Sequence, residues 1–126
     1  MQYSKESQVE GFEAIAPYRR TLKVLLSPQV NRTKNMALGM TILDPGCLSS
    51  PHSHRTEEEI WFVLSGTGLA TVGEETINIE EGTAIYIPPK QTHQLANQGS
   101  ERMRVLWVFS PPGPEAAYFG RKSGEA

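Results

Sequence analysis

The three histidines of this 126-residue chain fall into one arrangement, which a glutamate completes. His52 and His54 stand two residues apart in S-S-P-H-S-H-R-T-E-E-E-I-W-F-V-L-S-G, Glu59 follows, and His93 lies downstream in P-P-K-Q-T-H-Q-L-A-N. Imidazole nitrogens with one carboxylate oxygen make a mixed donor set suited to iron, manganese, nickel, copper or zinc. A metal centre is the chemistry these residue types imply. No serine–histidine pair is left for nucleophilic catalysis once every imidazole is assigned. No phosphate-cradling glycine loop opens a helix after a strand, which argues against nucleotide chemistry.

Ligands so far apart in sequence need a scaffold that returns them to one point. Side chains two apart on a strand share a face, so His52 and His54 are expected to project together, about 7 Å apart along the chain. Glu59 begins the next strand after a short connection, with Trp61 and Val63 of like parity lining the interior beside it. His93 arrives from a different strand pair. Short β-like runs dominate from Thr21 onward: 21–26, 36–43, 59–64, 69–72, 76–79, 84–87 and 103–109. In 36–43, Met36, Leu38, Met40 and Ile42 fall on one face and Ala37, Gly39, Thr41 and Leu43 on the other. Asp44-Pro45-Gly46 and Gly73-Glu74-Glu75 read as turns, the second as a short hairpin. About seven or eight strands at this spacing predict a sandwich or barrel. Only the first twenty residues and Pro114–Phe119 leave room for a helical turn, and the tail R-K-S-G-E-A reads as frayed.

Composition bounds the class. One domain over 1–126, with 38% apolar and 21% charged residues, reads as an ordinary globular chain. A net charge of −2 and a pI of about 5.9 exclude an electrostatic footprint for nucleic acid, and the cluster Arg19, Arg20 and Lys23 reads as a solvated face. No apolar run is long enough to span a bilayer, and the N-terminus lacks a secretory h-region, so a cytoplasmic location is expected. The single cysteine, Cys47, permits no intrachain disulfide and reads as a small buried filler.

These residues resemble the two signatures of the cupin superfamily. The first, G-x5-H-x-H-x4-E-x6-G, is matched by Gly46, His52, His54, Glu59 and Gly66. The second, G-x5-P-x-G-x2-H-x3-N, is matched by Gly82, Pro88, His93 and Asn97, with Lys90 where the family has glycine. Spacing to Gly66 selects Glu59 over Glu57 and Glu58. A lysine in a glycine position costs roughly 1 kcal/mol or more if the backbone is left-handed, so a slightly different loop is expected there. Lys90 itself is either a solvated loop residue or an ammonium at the mouth that attracts an anion.

The resemblance implies an all-β fold: a single-domain cupin β-barrel (jelly roll, or double-stranded β-helix) with its core over about 36–110. It also implies one divalent transition metal per chain, iron or manganese first, with nickel, zinc or copper as alternatives. Met40, Trp61, Tyr86, Arg104 and Trp107 are the expected substrate pocket, with Gln91 and Gln94 as further polar candidates. Two open coordination positions suit a small oxygen-rich substrate. The leading expectation is an oxidoreductase of dioxygenase type. A redox-neutral sugar or uronate isomerase, decarboxylase or lyase is the alternative, and a non-catalytic ligand-binding barrel the third. A homodimer is expected, with the flanks Gly11–Val24 and Pro111–Pro114 covering sheet edges.

Overall fold

Strict apolar alternation in this chain becomes strands, and the turn residues between them become the rim that carries the site. The computed structural model describes residues 1–119. In chain order the strands are β1 (Phe12–Ala14), β2 (Arg20–Leu26), β3 (Ala37–Leu43), β4 (Glu58–Ser65), β5 (Gly68–Val72), β6 (Glu75–Ile79), β7 (Ala84–Ile87), β8 (His93–Ala96) and β9 (Met103–Ser110). A single helical turn, α1 (Pro28–Asn31), interrupts them after β2, and 3-10 turns occupy Glu6–Gln8 and Pro114–Tyr118. Ser27 starts α1 by accepting a hydrogen bond from Val30 N at 3.3 Å, and Pro28 presets the first helical dihedral. Among the described residues no helix is long and apolar enough to cross a membrane.

Two antiparallel sheets form a jelly-roll β-barrel: one in the order β1-β2-β3-β9-β4-β7, the other β6-β5-β8. Residues 46–52 run antiparallel along the free edge of β8. Gly46 N donates to Asn97 O, Ser49 N to Leu95 O, and His52 and His93 exchange both backbone bonds. His52 and His54 therefore belong to a connecting segment pinned by bridges, not to the regular strand expected for them.

The core lies between the sheets. Trp61, Val63, Met103, Val105, Trp107 and Phe109 form one buried cluster with Leu43, Ile87 and Leu95. Burying each such side chain contributes roughly 1.5–3 kcal/mol. The indole of Trp107 reaches this position because Gly39, on the neighbouring strand β3, has no side chain; a Cβ there would collide with the ring. Gly66 closes β4 with φ of 88°, where a Cβ would lie 2.9 Å from Arg102 O. Asn97, fully buried, donates to Leu43 O and Glu101 O at 2.8 Å each and accepts from Gly99 N, clamping the turn between β8 and β9.

Candidate metal centre

Four side chains converge at one end of this core. One donor atom from each of His52, His54, Glu59 and His93 lies within 4.8 Å of the others. Their placement follows from local bonding. The His52↔His93 bridge brings the two imidazole-bearing segments together, and the ring centroids stand 4.3 Å apart. Glu59 comes from β4, paired between Ile87 and Phe109, and points inward with Trp61 and Val63.

The hydrogen bonds fix which atoms face the centre. His52 Nδ1 lies 2.7 Å from Ser50 O, and His93 Nδ1 lies 2.9 Å from Gln91 O. A carbonyl only accepts, so each Nδ1 carries a proton, and the neutral tautomer of each ring turns its lone pair inward at Nε2. Those two Nε2 atoms are 3.1 Å apart. Lone pairs so close repel unless a proton or a cation lies between them. Glu59 Oε2 accepts from the Trp61 indole at 2.7 Å, which leaves Oε1 for the centre.

Glu59 Oε1 and His54 Nε2 are buried and neither makes a hydrogen bond of acceptable geometry, although Oε1 lies 3.3 Å from His54 Nε2 and 3.1 Å from His93 Nε2. Bonds of 2.0–2.2 Å to a common ion place neighbouring donors about 3.0 Å apart in an octahedron and about 3.4 Å apart in a tetrahedron. The three separations fall in that range. The residues present fit a metal ion.

Electrostatics agrees. Burial pushes the Glu59 carboxyl up, but the imidazoles of His54 and His93 and the Trp61 N–H outweigh it and hold the group below its ordinary value. For His52, burial lowers the pKa, and the neighbouring imidazoles add to the effect beyond what the Ser50 carbonyl restores. A carboxylate at Glu59 and a neutral ring at His52 are the protonation states a metal requires of those two residues.

Trp61 and Trp107 line the small cavity beside His52 and Glu59, about 20 Å³ in volume. The other three expected pocket residues lie elsewhere, because strand parity turns them away from the barrel interior. Met40 is buried opposite Lys23 and Leu106. Arg104 lies 3.9 Å from Glu6. Tyr86 is 55% exposed and donates its hydroxyl to Glu58. Gln94 donates to Ser49 O, while Gln91 contributes its backbone oxygen to His93 rather than its side chain. Lys90 corrects the expectation of a reshaped loop. It adopts φ of 72°, the left-handed conformation glycine favours, and its N–H donates to His54 O at 2.7 Å. The backbone takes a left-handed conformation that glycine adopts freely, and the lysine carries the strain.

Sequence reasoning missed the Trp61–Glu59 bond, the Ser50 and Gln91 carbonyls, and Arg20. Arg20 shares the inward parity of Leu22 and lines the same small cavity, so the cluster read as a solvated face is divided. Tyr118 also lines it, stacked on Phe12 at 6.1 Å.

A jelly roll with an inward His3Glu group defines a metal-binding small-barrel protein. Residues 39–109, more than half the chain, match the cupin domain family, and the chain belongs to that family. It is 32% identical over 105 residues to the uncharacterized protein MJ1618 of Methanocaldococcus jannaschii, covering 80% of this chain and 84% of that one. It superposes on a predicted oxalate decarboxylase from Thermotoga maritima with a TM-score of 0.77 at 21% identity, covering 86% and 97%. The polyketide cyclase RemF from Streptomyces resistomycificus gives 0.76 at 22%, covering 90% and 82%.

Proposed function

We propose that the chain is a metal-dependent enzyme of dioxygenase type acting on a small oxygen-rich substrate. The observation that carries this reading is a donor set of three imidazoles and Glu59 beside a cavity walled by Trp61, Leu95, Trp107 and Phe109, where no second carboxylate lies among the described residues of the wall. A bound ion would supply Lewis acidity or a path for electrons. The chain's own residues hold the donor set. Ser50 O and Gln91 O fix the ring tautomers, Trp61 orients the carboxylate, and the apolar walls exclude water. Ferrous-loaded protein given diketones, flavonols and hydroxy acids should consume oxygen in step with substrate. Turnover that persists without oxygen on zinc or nickel would reject this reading.

A second reading, redox-neutral decarboxylation, isomerisation or elimination, is favoured by Tyr118. Tyr118 lines the cavity, and a phenol is a group suited to holding and returning a proton. The likeness in fold to a predicted oxalate decarboxylase and a polyketide cyclase supports it as well. Replacing Tyr118 by Phe should then depress turnover while leaving metal content unchanged.

We also propose a homodimer. Support comes from the outer face of the large sheet, where Ile60 and Phe62 on β4 are 47% and 40% exposed beside Tyr86. Half-buried Val108 and Leu106 continue these two rows onto β9. An apolar surface of this kind suits a two-fold contact better than the flanking edges do.

A further inference from the structure

We infer that Tyr118 is a removable partition between the metal centre and an outer apolar groove, so that the site takes oxygen-donor ligands whose aryl or alkyl substituent rests in that groove. The inference rests on the metal reading and names the substrate class of that site.

The cavity beside His52 and Glu59 holds about 20 Å³, the volume of one water, so no organic ligand enters it without displacing part of its wall. Glu59 Oε1 and His54 Nε2, two of the donors that face the centre, are buried. Among the described residues of the wall, Tyr118 alone stands neither on a strand nor on the 46–52 segment bonded along β8. It also borders a second space. An open groove of about 350 Å³ is lined by Val9, Phe12, Leu22, Val24 and Val30 together with Tyr118. Leu22 and Tyr118 line both spaces, so these two side chains divide them. Leu22 is 5% exposed and held in β2 opposite Phe12, whereas Tyr118 is half-buried at the end of a 3-10 turn. Of the two, the tyrosine is the one that can leave.

Local bonding sets the cost of that movement. Ala116 N donates to Gly113 O at 3.0 Å and Phe119 N to Ala116 O at 3.3 Å, so these bonds close within the turn. The Glu115 carboxylate turns back to Gly113 N at 2.7 Å. Tyr118 meets the barrel by packing against its core and by stacking on Phe12, ring centroids 6.1 Å apart. A segment seated by ring packing opens at lower cost than a strand in a ladder, and lids are drawn from such segments. Once the tyrosine ring leaves, the face of Phe12 is free for an aromatic or aliphatic group of the ligand. Val9, Val24 and Val30 extend that apolar seat. Glu10 is the charged residue of the groove wall, which disfavours an anionic tail. The polar head of the ligand then occupies the place the ring vacates, beside the four donors.

The test uses the full chain loaded with cobalt(II), whose visible spectrum reports ligands joining the metal. The probes are acetohydroxamate and phenylacetohydroxamate, which share one oxygen-donor head and differ by an aromatic ring. Cobalt uptake is measured first. Failure of the wild type to bind the ion sinks the metal reading and the partition with it. Given uptake, the ring should tighten binding at least about tenfold. Tyr118→Ala should speed association of both probes at least about tenfold at unchanged cobalt stoichiometry. Tyr118→Phe keeps the ring and loses the hydroxyl, so it should associate at the wild-type rate, which separates a partition from a proton-holding phenol. If Tyr118→Ala does not fold, Tyr118→Leu serves and should give a rate above wild type. Val30→Asp, at a position 50% exposed in the groove, should weaken the phenyl probe roughly threefold and leave acetohydroxamate alone. Four results would each overturn the partition and leave the metal reading standing: wild-type rates in Tyr118→Ala or Tyr118→Leu, a Tyr118→Phe variant as fast as Tyr118→Ala, a wild type for which the ring adds no affinity, or a Val30→Asp variant that holds the phenyl probe undiminished.

Discussion

Strand β4 shows two faces, and each breaks a rule of burial in the opposite sense. Inward, Glu59 is 3% exposed, a carboxylate in a core otherwise built of Trp61, Val63 and their neighbours. Outward, Ile60 and Phe62 stand in solvent next to Glu58. A buried charge demands a counter-charge, and an exposed apolar row demands a cover. One strand thus carries two unlike features: inside, a carboxylate in a donor set that could hold a cation, and outside, an apolar row of the kind that the proposed dimer would cover.

The largest effect tests the inner face. His54→Ala or Glu59→Ala should abolish stoichiometric metal binding, read by elemental analysis of protein purified without chelators, while Ile60→Lys should leave it intact. For the wild type, metal at a hundredfold excess over Kd should stabilise the fold by about 2.7 kcal/mol, a Tm rise of roughly 10 °C, and the ligand variants should show no such rise. Next comes Trp61→Phe, which deletes the N–H that holds Glu59 Oε2 and should lower metal affinity about 10- to 100-fold. On the outer face, Ile60→Lys with Phe62→Lys should convert a species of twice 14.0 kDa into one of 14.0 kDa by light scattering. A wild type already at the single-chain mass would refute the pairing.

Two smaller effects sharpen the contrast. His52 has its pKa lowered in the fold, so the unfolded chain binds more protons as pH falls below 6.5. Glu59 is likewise lowered, from 4.5. Both contributions are present at neutral pH and are lost on acidification, His52 first and Glu59 as pH falls through its folded value. Metal-free protein should therefore lose Tm between pH 7 and 5, and a His52→Gln variant should lose less. Finally, Lys90→Gly should raise stability by up to about 1 kcal/mol in chemical denaturation, because glycine adopts φ of 72° without the steric penalty.

The convergence of the four donor side chains was legible because their spacing is tied to turn glycines and, for Glu59 on β4, to strand parity, although His52 and His54 lie outside the strand expected for them. Long strands with clear alternation, such as β9, were legible for the same reason. What escaped was contact that parity does not encode. The Trp61 indole could have faced any acceptor in the core, and its choice of Glu59 depends on a rotamer. Arg20 stands beside Arg19, and only the start of β2 decides which of the two turns inward. β1 is too short to show a period, β8 reads H-Q-L-A without the β-branched residues that mark the equally short β7, and the segment 46–52 pairs along β8 without forming a strand of its own.

The rings of His52 and His93 take their orientation from main-chain oxygens two residues upstream, not from side chains. Substitution at positions 50 or 91 therefore leaves the proton address of each imidazole unchanged. The side chains at these two positions can vary while the four donors keep facing one another.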